Sequence, residues 1–179
     1  NDLYYNERSF GFDTAVAVAT DALDRLETTG QSHGRVMILE TMGRYAGWIA
    51  LEAGMAGGAD IILLPEIPYR LDEVLRVCRE REGRQRFTVI AIAEGAKPEG
   101  GGLTVHETIA DSPDPIRLGG VGNVLREQLQ PQLACEVRTT ILGHVQRGGA
   151  PTPYDRVLAT RYGHAAAQQH LESLQDLGG

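Results

Sequence analysis

Three short, largely apolar runs recur along the chain at Val36–Leu39, Asp60–Pro65 and Phe87–Ala93, a more mixed run at Glu136–Leu142 reads as a fourth strand, and stretches with helical spacing separate them. A run that is apolar at nearly every position has no face to offer water, so each of the first three reads as a strand buried on both sides. Parallel neighbours in a sheet need long crossover connections, which the intervening helices supply. The pattern therefore specifies an α/β fold: a mostly parallel sheet flanked by helices on both faces.

The helical stretches are legible by spacing and by their stops. Asp13–Leu26 is alanine-rich with apolar positions at helical intervals, and Gly30 reads as its stop. Trp48–Ala56 ends at Gly57-Gly58, and Leu71–Glu82 is charged, amphipathic and closed by Gly83. Val121–Gln130 and Tyr154–Leu174 complete the set, the last with an alanine run of high propensity. Lys97–Gly102 and Asp111–Pro115 are Gly- and Pro-rich loops. No repeat, low-complexity tract or composition break divides the 179 residues, so residues 1–179 read as a single fragment large enough to bury a sizeable core.

The formal net charge of -7 disfavours a general nucleic-acid binder, which needs a positive face. No run is long and apolar enough to span a bilayer, and the start at Asn1-Asp2 lacks the pattern of an export signal. That start reads as the interior of a longer sequence. Cys78 and Cys135 stand far apart without Cys-x-x-Cys spacing, which argues against zinc and gives no disulfide framework. Both read as small buried hydrophobes in a reducing cytoplasm. His33, His106, His164 and His170 read as surface or structural, and Trp48, at helical spacing from Leu51, as core or interface.

In sheets of this kind ligands bind beyond the carboxyl ends of the strands. The first strand is followed by Met42-Gly43-Arg44-Tyr45-Ala46-Gly47, the third ends at Glu94-Gly95, and the fourth breaks into Gly143-His144-Val145-Gln146-Arg147-Gly148-Gly149. Glycines let the backbone approach a ligand closely, and cationic or hydrogen-bonding side chains among them suit a phosphate ester. Arg35 and Arg138 lie at or before strand starts, on the opposite edge, and are poorly placed to reach the same ligand within one subunit.

Met42-Gly43-Arg44, the strand-end Glu94 and the run Arg138 to Gly149, continued by Pro151-Thr152-Pro153-Tyr154-Asp155-Arg156, together resemble the signatures of the phosphofructokinase family. The resemblance runs through nearly the whole chain. It implies phosphoryl transfer from ATP to the 1-hydroxyl of fructose 6-phosphate, with Mg2+, in a cytoplasmic homotetramer. It further implies that Met42, Gly43, Arg44, Glu94, His144 and Arg147 form the fructose 6-phosphate site. Glu94 would accept hydrogen bonds from sugar hydroxyls, His144 and Arg147 would hold the 6-phosphate, and Arg44 would stabilise charge on the transferred group.

The same resemblance implies that Arg35 and Arg138 enter the site of a neighbouring subunit. Asp2 matches an acidic residue near the reacting phosphates and Mg2+, while the catalytic aspartate would lie just before Asn1. The donor-binding loops and a complete metal site would also lie upstream, so the fragment alone is expected to bind sugar phosphate at best. Pyrophosphate as the donor, or a non-catalytic sugar-phosphate-binding subunit, are the alternative readings.

Overall fold

The structure, a computed structural model, describes residues 8–84, 87–108 and 116–177. Asp2 and the loop Asp111–Pro115 lie outside the described residues. Two compact units emerge: residues 16–146, and a smaller unit drawn from residues 1–15 and 147–179.

The larger unit is built on a four-stranded parallel sheet. Its strands are β1 (Val36–Thr41), β2 (Ile61–Leu63), β3 (Thr88–Ala93) and β6 (Val137–Ile141). The order β2-β3-β1-β6 puts β1 and β3 at the centre, and both are buried at every position. Alternation then assigns the two faces. Val36, Ile38, Ile90 and Ile92 meet Val74, Leu75 and Cys78 of α3 (Leu71–Glu82) together with Val121, Leu125 and Leu129 of α4 (Val121–Leu129). On the other face, Gly54 of α2 (Trp48–Ala56) lies against Ile62 and Ala91, so that a Cβ there would be 2.8 Å from the Ile62 side chain. α1 (Phe12–His33) reaches Met37 and Phe87 from the same side through Gly30. The sheet is thus covered on both faces, as its apolar strands require.

Gly30 does not stop α1. The helix runs on to His33, and Gly30 is buried inside it because a Cβ there would be 3.1 Å from Met37 and 3.3 Å from Phe87. The stop is Gly34, with φ of 60°, after which the Arg35 N–H donates to the Gly30 carbonyl at 3.2 Å in the closing bond of a Schellman motif. A second difference is an antiparallel pair, β4 (Val105–Thr108) with β5 (Ile116–Leu118), whose apolar alternation extends over only three or four residues. Trp48 is not core within this chain, being 61% exposed.

β1 also extends two residues beyond the apolar run, through Glu40 and Thr41. Glu40 is 2% exposed, and its carboxylate accepts the N–H groups of Gly120 and Gly122 at 2.8 Å each. These are donors at the amino end of α4 that no helical carbonyl reaches. A charged residue inside a buried strand is tolerated because it satisfies them.

In the smaller unit, Asp155 of α5 (Pro153–Leu177) accepts both the backbone N–H and the hydroxyl of Thr14, at 2.8 and 2.5 Å. Thr152 returns a bond to Asp13 at 2.6 Å. Burial opposes ionisation of Asp155, yet the bonds from Thr14 hold its carboxyl below the usual range. The Arg8 guanidinium lies over the rings of Phe12 and Tyr154 at 5.2 and 5.6 Å.

Burial pushes the Glu40 carboxyl above its ordinary range, the bonds from Gly122 and Gly120 offset part of that rise, Glu94 adds to it and His106 lowers it. A carboxyl raised on folding binds protons more readily in the native state, so its contribution declines as pH rises through the folded pKa. Glu40→Gln should destabilise the protein by about 1–3 kcal/mol near the unfolded pKa, because one N–H at the start of α4 then faces an amide NH2. Denaturant unfolding across the acidic range should show this deficit narrowing as pH rises.

Candidate active site

The carboxyl edge of the sheet carries the residues that the sequence pattern singles out. β3, β1 and β6 end side by side, and the ladder continues one step further: Glu94 N–H donates to the Thr41 carbonyl at 2.9 Å and Leu142 N–H to the Glu40 carbonyl at 3.1 Å. This brings Glu94, Met42 and the part of the following 3-10 turn from Gly143 to Gln146 to adjacent positions on one rim.

The turn 42–47 leaves the central strand with backbone donors that no sheet partner can meet. Side chains from three other segments meet them. Glu94, 8% exposed, accepts Gly43 N–H at 3.0 Å and Arg44 N–H at 2.7 Å on the same oxygen, Oε1. Gln146, 2% exposed, accepts Met42 N–H at 3.0 Å and donates its amide back to the Met42 carbonyl at 3.3 Å. Glu66, after β2, accepts Gly47 N–H at 2.9 Å. Within the turn, Ala46 N–H donates to the Gly43 carbonyl at 3.1 Å. The segment is held from both sides, while the Arg44 side chain is exposed.

His144 follows β6 with its side chain exposed, two residues from the buried Gln146. Arg147 ends the same 3-10 turn, is exposed, and belongs to the smaller unit. Gln146 and Glu66 were not among the residues read as functional from the sequence. A polar side chain that bonds only to backbone has no pattern signature, although Gln146 lies inside the signature run 138–149.

Arg35, just before β1, and Arg138, in β6, lie at the opposite edge, where the register pairs Val36 with Val137. Glu136 joins them. Its Oε2 meets Arg35 Nε at 2.6 Å, and its Oε1 pairs with Arg138. Neither arginine reaches the Glu94 rim within this chain, as their strand positions imply.

Burial raises the Cys78 thiol to about 12 and the Cys135 thiol to about 11, so neither is a nucleophile at neutral pH. Among the described residues no group of three or more His, Cys, Asp or Glu could hold a metal ion. None of their helices is long and apolar enough to cross a membrane.

An ionised oxygen that accepts two backbone donors gives charge-assisted bonds, and Gln146 adds a two-point clamp on Met42. The isosteric Gln146→Glu keeps the acceptor for Met42 N–H but turns the other contact into oxygen against oxygen. It should cost about 1–3 kcal/mol of stability in denaturant unfolding, the loss for a buried polar group left unsatisfied. A variant as stable as the parent would show that the clamp contributes nothing.

Residues 1–170 match the family model described as Phosphofructokinase. The chain is 54% identical over 171 residues to ATP-dependent 6-phosphofructokinase 2 of Clostridium perfringens, covering 94% of this chain and 46% of that relative. It is 50% identical over 163 residues to the Pyrophosphate--fructose 6-phosphate 1-phosphotransferase of Amycolatopsis methanolica, covering 91% and 48%. Among solved structures it superposes on phosphofructokinase from Saccharomyces cerevisiae with a TM-score of 0.75 and 33% identity, covering 94% of this chain and 21% of that one. The chain spans about half the length of the curated relatives it matches. With a family match across nearly its whole length, and with the Met42–Arg44 turn, Glu94 and Gln146 gathered on one rim, this chain belongs to the phosphofructokinase family.

Proposed function

We propose that the chain is the sugar-phosphate half of an ATP-dependent 6-phosphofructokinase, which moves a phosphoryl group to the 1-hydroxyl of fructose 6-phosphate. The observation that carries this reading is the clamped turn 42–47, which presents Arg44 from a fixed backbone at the carboxyl edge of a parallel sheet. Phosphoryl transfer depends mainly on positioning and on charge placed where charge develops. A guanidinium on a backbone held by Glu94 and Gln146 has little reorganisation left to do.

In this reading Met42 and Gly43 line the sugar, while His144 and Arg147 hold its 6-phosphate. Glu94 has two tasks. One oxygen fixes the turn, and the acceptor capacity that a carboxylate retains is available to sugar hydroxyls. Arg35 and Arg138, presented together on the far edge by Glu136, reach the 6-phosphate of a neighbouring copy, so the active form is a homo-oligomer, a tetramer by family resemblance. Asp2 and the residues upstream of Asn1 bring the donor, Mg2+ and the proton-accepting aspartate. The setting is cytoplasmic glycolysis.

ATP as donor is favoured by the name of the Clostridium perfringens relative, and the Amycolatopsis relative at 50% identity makes pyrophosphate the second reading. A coupled assay of the full-length parent with fructose 6-phosphate, offering ATP and pyrophosphate separately, decides between them. Turnover with ATP and not with pyrophosphate is expected. Turnover with neither, despite sugar-phosphate binding, would leave a non-catalytic binding subunit.

Site variants of the parent separate the assigned roles. Arg147→Ala should raise KM for fructose 6-phosphate about tenfold to a hundredfold, the equivalent of a lost charged hydrogen bond, with a smaller effect on kcat. Arg44→Ala should act chiefly on kcat, by about a hundredfold or more, as for other groups that stabilise transition-state charge. Unchanged affinity in Arg147→Ala would refute the phosphate-anchor assignment.

A further inference from the structure

Arg44 is the only non-glycine residue with positive φ among the described residues, at 53°. That left-handed geometry brings Cβ close to the following carbonyl and is disfavoured for every residue but glycine. Such a conformation persists only where its surroundings leave no alternative. Glu94 Oε1 fixes the Arg44 N–H. The carbonyl on the other side of the residue has a different restraint, Gly95.

A Cβ built on Gly95 would collide with the Arg44 carbonyl oxygen, and it would lie 3.2 Å from both the Arg44 carbonyl carbon and the Pro65 ring. Neither obstacle is the far end of a flexible side chain. One is main chain in a turn anchored by Glu94, and the other is a proline ring. A side chain at position 95 and this backbone at Arg44 therefore exclude each other. With the N–H tethered, any retreat of the carbonyl must come from rotation about the Arg44 dihedrals. Rotation about Cα–C moves only the oxygen, whereas the carbonyl carbon, also 3.2 Å from the Cβ position, retreats by rotation about N–Cα, which swings the Cα–Cβ bond with it and redirects the guanidinium.

We infer that Gly95 is a positioning residue for phosphoryl transfer: its missing side chain admits the left-handed Arg44 backbone and thereby sets the direction in which the guanidinium leaves the turn. This rests on the reading of Arg44 given under Proposed function. The chemistry assigned to Gly95 is steric, since it contributes only the space into which the Arg44 carbonyl fits.

The test is a double-mutant cycle in the full-length parent, with kcat, KM for fructose 6-phosphate and Tm measured for Gly95→Ala, Arg44→Ala and the double variant. A small misplacement of a catalytic group can cost about a hundredfold in rate, so Gly95→Ala should lower kcat by about tenfold to a hundredfold. In the Arg44→Ala background the same substitution should change kcat by less than about threefold, because the side chain being aimed is gone. Gly102→Ala, at a glycine with nothing within 4 Å of its Cβ position, is the control and should match the parent.

Wild-type kcat in Gly95→Ala, or an equal loss in both backgrounds, would overturn the inference. Wild-type turnover in Arg44→Ala would instead overturn the reading of Arg44 itself. If Gly95→Ala is too unstable to assay, combining it with Arg44→Gly should restore much of its Tm, since a glycine at 44 lets the carbonyl move at little cost. No recovery would place the clash elsewhere and sink the proposal.

Discussion

One carboxylate oxygen, Oε1 of Glu94, accepts the N–H groups of both Gly43 and Arg44, and the rest of the site is arranged around that contact. A parallel sheet stops abruptly at its carboxyl edge, leaving main-chain donors without ladder partners. Here β3 and β1 are neighbours, so the residue that follows β3 stands beside the turn that follows β1. Glu94 meets the donors at one point, and Gln146, carried in from β6, meets Met42 at another. The strand order β3-β1-β6 is what brings these partners to the central turn.

The same device recurs one layer below. Glu40, inside β1, satisfies the first donors of α4, and Asp60 at the start of β2 accepts Val89 N–H at 2.9 Å while pairing with Arg81 at 2.8 Å. Glu40 is buried and Asp60 half-buried, and each is stable because backbone donors or a guanidinium meet it. Carboxylates thus join a helix end and neighbouring strands within the larger unit. At the far edge Glu136 does for two side chains what Glu94 does for two amides, holding Arg35 and Arg138 together as a single cationic feature.

Much of this was legible in the sequence, for physical reasons that also explain the gaps. α2 and α3 occupy the residues their spacing marks, Trp48–Ala56 and Leu71–Glu82, because each carries a glycine stop immediately after its last turn. The apolar runs of β1, β2 and β3 could be read without a partner, whereas β6, at the sheet edge with Arg138 exposed, is more mixed. β1 was read short because Glu40 breaks the apolar run, and only the proximity of Gly120 and Gly122 makes that residue compatible with burial. Gly30 was misread as a stop because close packing and chain reversal both call for glycine, and local sequence does not distinguish them. β4 and β5 are only four and three residues long, too short for the alternation of Ile116-Arg117-Leu118 to stand out. The positions of Met42, Glu94 and His144 on one rim followed from the rule for strand ends, whereas the left-handed Arg44 and the space at Gly95 are properties of a tertiary contact.

The central claim, that the Arg44 turn is a preset platform beside a sugar-phosphate site, is tested most directly by a crystal structure of the full-length parent with fructose 6-phosphate bound. The account predicts the 6-phosphate at His144 and Arg147, with Arg35 and Arg138 of a neighbouring copy completing its cage. It also predicts Glu94 Oε1 still bonded to Gly43 and Arg44. A sugar phosphate bound away from this rim, or a Glu94 that releases both amides to receive the sugar, would contradict it.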